Sequence, residues 1–251
     1  MTAEREATDT PAVVDPRLTR EHRWGFGAFL FVFAVFVLSA VVIGAIVGMV
    51  APNAGNDPVV IVIGTMIPTL LAAGVALLVT KLRGNGPKID LRWSMTRADL
   101  RVGVKFGVIG LVSTTVAAFL WTNFVGEENA SSAVGRLVEN ERMPLAAAIA
   151  MFLFVWLIGP ICEEVIYRGL LWGALERLKW GRWAVFGLTT VIFAVSHLEP
   201  LRTSLLLVIG VPIGLARLFT GHLGASIIAH QVNNFLPALA ALLIAIGAMP
   251  A

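Results

Sequence analysis

Trp24–Ala51, WGFGAFLFVFAVFVLSAVVIGAIVGMVA, contains no charged residue. It exceeds the ~20 residues with which an α-helix crosses the hydrocarbon core of a bilayer. It is too long for the apolar core of a secretory leader, which runs to about 7–15 residues, so it reads as a retained membrane helix. Residues 1–23 before it are polar and mixed in charge, with Pro11 and Pro16, and read as a solvated cytoplasmic tail. Six further apolar runs follow: Val59–Thr80 with Pro68, Val102–Val125 with Lys105 near its start, Pro144–Leu175, Trp183–His197, Ser204–Phe219 with Pro212 and Arg217, and Leu223–Ala248 with His230. The expected fold is all-α, a polytopic transmembrane helical bundle of about seven spans, six to eight being compatible with the pattern. Its expected organisation is the tail 1–23, N-terminal transmembrane helices and loops over 24–142, and a core over 143–251.

Composition agrees. Of the 251 residues 57% are apolar and only 14% charged, and the mean hydropathy is +0.84. A soluble domain would carry about 25% charged residues, so that class and intrinsic disorder are excluded. The pI near 9.5 reflects a net charge of only +3, which gives no basic groove for nucleic acid. The single cysteine, Cys162, excludes a disulfide framework and a Cys-based zinc finger and reads as a small apolar filler.

Loop charges set the orientation. Lys81, Arg83, Lys88, Arg92, Arg97, Arg101 and Lys105 gather between the second and third spans; Arg177, Lys179 and Arg182 follow the fourth; Arg17, Arg20 and Arg23 precede the first. Pro52–Pro58 has no Lys or Arg, and Gly126–Arg142 sets Arg136 and Arg142 against four Glu. The expected location is a cell membrane, multi-pass, with the N-terminus cytoplasmic and the C-terminus outside. Four Gly-x-x-x-Gly pairs (Gly44/Gly48, Gly103/Gly107, Gly169/Gly173, Gly210/Gly214) read as internal close packing rather than a dimer face. Trp24, Trp121 and Trp183 read as interface anchors, Arg217 as a snorkelling cation, and His222 as solvated or interfacial.

Three charges stand inside the fourth apolar run: Glu163, Glu164 and Arg168. A charge at the bilayer centre costs at least ~3 kcal/mol on insertion scales, so such residues are functional candidates. Glu164 and Arg168 are four apart with the acid first, the favourable order for an ion pair on one helix face. Glu163 lies about 100° round the helix, with Tyr167 rather than a base at i+4. Pro160 cannot donate to the carbonyl of Trp156, which predicts a kink just before the carboxylates. Phe193 and His197 share a face in the next run; His230 and Asn234 share one in the last, with Asn233 beside them. Counted from the cytoplasmic ends, Glu163, His197 and His230 lie roughly 18, 21 and 10 Å deep. That is compatible with one buried cluster.

The series Glu163-Glu164-x-x-x-Arg168, Phe193-x-x-x-His197, His230-x-x-x-Asn234 resembles, in order and spacing, the three motifs of the CAAX protease and bacteriocin-processing (CPBP, or Abi) family of intramembrane proteases. The resemblance covers about residues 145–245. It implies a membrane endopeptidase in which Glu163 activates a water, His197 holds that water, and His230 and Asn234 stabilise the oxyanion. Glu164 and Arg168 would support them as an ion pair, and Phe193 would wall the pocket. Glu163, His197 and His230 are also a donor set of the kind that holds Zn²⁺. The implied partners are the lipid bilayer and a peptide or protein substrate, with no nucleic acid. Other protease types lack their residues: there is no His-Glu-x-x-His, and no Asp follows Asp99. The rival readings are a proton-coupled carrier, since intramembrane Glu and His also build proton relays, and a non-catalytic immunity or scaffold member of the same family.

Overall fold

The computed structural model describes residues 23–51, 57–126 and 142–249. The tail before Arg23 and most of the loops Pro52–Pro58 and Gly126–Arg142 lie outside the described residues, and Arg136 with them. The described residues form an all-α bundle: α1 (Phe26–Val50), α2 (Pro58–Arg83), a short α3 (Pro87–Asp90), α4 (Arg97–Val125), α5 (Leu145–Arg177), α6 (Arg182–Ser196), α7 (Thr203–Thr220) and α8 (Leu223–Ala245). Six of these helices are long and apolar enough to cross a membrane. The seventh expected span, α6, has 15 residues, about 22 Å of helix against a core ~30 Å thick.

Residues far apart in the chain close one end of the bundle. The Arg23 amide donates to the Arg83 carbonyl, and the Leu223 amide donates to the Arg92 carbonyl at 3.0 Å. Arg92 pairs with Glu176 at 3.1 Å. Asp99 forms a capping box with Thr96 at the start of α4 and meets His222 Nδ1 at 3.0 Å. His222 is thus half-exposed yet tied to a buried carboxylate, which refines its expected interfacial role. At the opposite end the Met143 amide donates to the Ala245 carbonyl. The start of α1 and the end of α8 therefore lie at opposite ends.

Trp24 is no interface anchor. It is buried, donates to Asp90 Oδ2 at 2.8 Å, and carries the Arg177 guanidinium 3.4 Å above its ring. The rule for aromatic belts concerns rings facing lipid, and here the chain folds this ring inward. Three of the glycine pairs pack inside, as expected. A Cβ on Gly103 would stand 2.7 Å from the Ala225 carbonyl, and one on Gly107 would stand 2.5 Å from Val232, so α4 can approach α8 only with glycine there. Gly44 and Gly48 have nothing within 4 Å.

The Lys/Arg excess at the Arg23–Arg83–Arg92 end predicts that this end faces the cytoplasm. Reporter fusions at Lys88 and at Asn129 should then give signals from opposite sides of the membrane. Signals from the same side would break the alternation.

Candidate active site

Pro160 does locally what its missing N–H predicts. The turn before it, Phe154–Ile158, is a π-helical segment in which the Gly159 amide reaches back to the Phe154 carbonyl. A second π-segment, Val165–Leu171, follows the two glutamates. Such widened turns leave backbone carbonyls available to side chains, and α8 supplies the donors: Asn234 Nδ2 donates to the Val155 carbonyl at 3.2 Å, and Gln231 Nε2 to the Leu157 carbonyl at 3.3 Å. The irregularity of α5 thus locks it to the helix that carries His230.

Glu164 and Arg168 form the expected pair. Arg168 Nη1 lies 3.0 Å from Glu164 Oε1, and neither side chain is exposed. The same Oε1 also lies 3.0 Å from His230 Nδ1. A carboxylate oxygen accepts, so Nδ1 of His230 carries a proton and Nε2 turns toward Glu163, whose Oε2 is 3.7 Å away. Glu163 is 29% exposed where Glu164 is wholly buried. Two adjacent acids thus hold different positions: Glu164 is an internal anchor, and Glu163 lines open space.

His197 closes α6. Its Nδ1 lies 2.7 Å from the Phe193 carbonyl and donates to it, leaving Nε2 as an acceptor. Phe193 is more than wall. Its ring packs against His197 (4.7 Å between centroids), Tyr167 (5.4 Å) and His230 (5.8 Å), and the Arg168 guanidinium sits 4.4 Å from its centroid. The Tyr167 hydroxyl is 2.5 Å from Ser196 Oγ, which joins α5 to the end of α6. Thr114 of α4 donates to Asn233 Oδ1, and Asn233 Nδ2 donates to Asn234 Oδ1 at 3.3 Å, so the amide of Asn234 is oriented from two sides.

Glu163, Phe193, His197, His230 and Asn234 line one cavity of about 680 Å³. Its other walls include Val32, Phe36, Thr65 and Met66 from α1 and α2, which no motif had marked. Cys162, adjacent in sequence, is buried. Arg217 was missed. It does not snorkel but is buried, with Nε donating to the Arg168 carbonyl at 3.1 Å and Nη1 to the Gly221 carbonyl. A position near a helix end did not reveal that the π-segment of α5 presents a carbonyl there. Among the described residues no group of three His, Cys, Asp or Glu side chains is placed to hold a metal ion.

Residues 145–236 match the family described as "Type II CAAX prenyl endopeptidase Rce1-like". The chain is also 25% identical, over 175 residues, to the membrane-embedded CAAX protease MroQ of Staphylococcus aureus (strain USA300), covering 66% of this chain and 68% of that one. No solved structure matches it significantly. The Rce1-like match falls on the segment that carries the three motifs, so over residues 145–236 the chain is similar to the CAAX protease family, as its motifs implied.

Phe193→Ala removes a buried ring that touches four of the polar groups above. Such a truncation costs about 3–5 kcal/mol in a packed core. The expected outcome is a large drop in thermal stability in detergent. A shift of less than a degree would show that the four groups are held without it.

Proposed function

We propose that the protein is an intramembrane endopeptidase that cleaves a peptide bond of a membrane-associated protein or peptide by way of a water activated by Glu163. The observation that carries this reading is the gathering of Glu163, His197, His230 and Asn234, from three helices, on one cavity. A carrier would spread its polar groups along a path; here all four motif side chains share one cavity, with His230 Nε2 3.7 Å from Glu163.

A water held between Glu163 and Nε2 of His197 gives a proton to Glu163 as its oxygen attacks the scissile carbonyl carbon. The developing oxyanion accepts hydrogen bonds from His230 and Asn234. His230 donates from Nε2 when that nitrogen carries a proton, while its Nδ1 stays on Glu164 Oε1. Asn234 uses the N–H that Val155 leaves unused. Collapse of the tetrahedral intermediate breaks the C–N bond, and Glu163 returns its proton to the leaving nitrogen, giving one new carboxyl and one new amine terminus. Preorganised donors of this kind are worth ~10²–10³ in rate each.

Zn²⁺ bound by Glu163, His197 and His230 would supply a Lewis acid and a more acidic water. The side chains do not stand as a three-ligand set, and both nitrogens of His230 face carboxylates, so the arrangement does not fit the metal. On this reading activity persists after dialysis against a chelator. Loss on chelation with recovery on Zn²⁺ addition would reverse it.

The adjacent glutamates separate the roles. Glu163→Gln should accumulate normally and cleave at least ~10²-fold more slowly. Glu164→Gln strands Arg168 and releases His230. Breaking a buried pair costs about 3–5 kcal/mol in soluble hosts, so this variant should be markedly less stable while its folded fraction keeps residual activity. Comparing membrane proteomes with and without each variant would reveal an uncut precursor, alongside melting in detergent. A stable, inactive Glu164→Gln beside an active Glu163→Gln would swap the roles. Normal behaviour of both would remove the protease reading and favour the carrier or scaffold.

A further inference from the structure

The end of the bundle where Arg23, Arg83 and Arg92 meet carries charge that the site does not use. Lys81, Arg83, Lys88, Arg92, Arg97, Arg101 and Lys105 are all exposed. The two acids in the same stretch are not: Asp90 and Asp99 are buried, one against Trp24 and the amide of Asn85, the other against Thr96 and His222. The outward surface of 81–105 is therefore cationic without an exposed acid, apart from the contact of Arg92 with Glu176.

Within it Arg97, Arg101 and Lys105 recur every four residues and form one stripe along the first turns of α4. Like charges at i and i+4 repel, and cations near a helix N-terminus oppose the helix dipole. The stripe thus weakens the helix that bears it unless an anion lies against it. The capping box of Thr96 and Asp99 already closes the first turn and leaves the stripe facing outward. Beside it runs a second exposed stripe, Leu100, Val104 and Val108, and α4 continues apolar and exposed through Val112 and Val116. Cations at the start of a spanning helix, next to an apolar face that runs on into the membrane, match a molecule with an anionic head and an acyl tail.

We propose that Arg97, Arg101 and Lys105, with Leu100, Val104 and Val108, form a binding site for an anionic phospholipid, its phosphate on the cationic stripe and its acyl chain on the apolar one. The proposal does not depend on the protease reading.

The test uses the full chain in neutral detergent, with phosphatidylglycerol or phosphatidylcholine added, read by native mass spectrometry and by thermal unfolding. Phosphatidylglycerol should bind and raise the melting temperature; phosphatidylcholine should do neither. Each cation near a headgroup layer is worth about fivefold in affinity, so R97A/R101A/K105A should bind phosphatidylglycerol roughly a hundredfold more weakly. R97K/R101K should bind it nearly as the parent does. If the triple variant does not fold, a salt titration of the parent decides: binding must weaken as salt rises, and salt-independent binding overturns the proposal. Equal binding of the two lipids also overturns it, as does unchanged binding by a folded triple variant. A last variant replaces Glu4, Glu6, Asp9, Asp15 and Glu21 by Gln or Asn. Should phosphatidylglycerol bind only in that background, the acidic tail occupies the stripe in the parent and the lipid site falls.

Discussion

One carboxylate oxygen, Oε1 of Glu164, faces both Arg168 Nη1 and His230 Nδ1 at 3.0 Å, with no exposed surface on the acid. In so apolar a setting an ionised group persists only when it is paired and hydrogen-bonded, so the three side chains are mutually required. From Arg168 the tie extends to α7, through Nη2 on the Gly210 carbonyl and through the Arg168 carbonyl on Arg217. From His230 it extends to α8. A Cβ on Gly210 would stand within 3.5 Å of the Arg168 guanidinium, Thr190 and Phe193, so the close approach of α7 belongs to the same arrangement. The anchor also fixes which ring nitrogen of His230 bears the proton toward Glu164, and so what its other nitrogen offers to Glu163.

The π-segments serve that anchor. A regular helix through residues 154–171 would spend every carbonyl on its own ladder. The widened turns bring Val155 and Leu157 into contact with Asn234 and Gln231, and Arg168 with Arg217. Proline at 160 starts the irregularity, and side-chain amides and a guanidinium complete it.

Much of this was legible in the residues. The uncharged run Trp24–Ala51 and its successors give the bundle, and four-residue spacing gives the Glu164–Arg168 pair. What escaped was long-range. The partners of Trp24 and Arg217, Asp90 and the Arg168 carbonyl, are 66 and 49 residues away, and rules for belts and snorkelling treat each helix as if alone in lipid. The contribution of α1 and α2 to the cavity was invisible for another reason: Val32, Phe36 and Met66 are indistinguishable from lipid-facing residues until a neighbouring helix is in place.

The brevity of α6 has a use of its own. Glu163 lies about 21 Å from the Arg177 end of α5, and the 15 residues of α6 bring its terminal His197 to about the same height. A full-length crossing would have carried that imidazole past the carboxylate. The hairpin then turns at Leu198–Arg202, and Leu198, Glu199 and Arg202 of that turn line the cavity. A reaction that consumes water inside hydrocarbon needs a supply route, and a turn that sets an acid and a base on the cavity wall continues the site's polarity toward the end of the bundle.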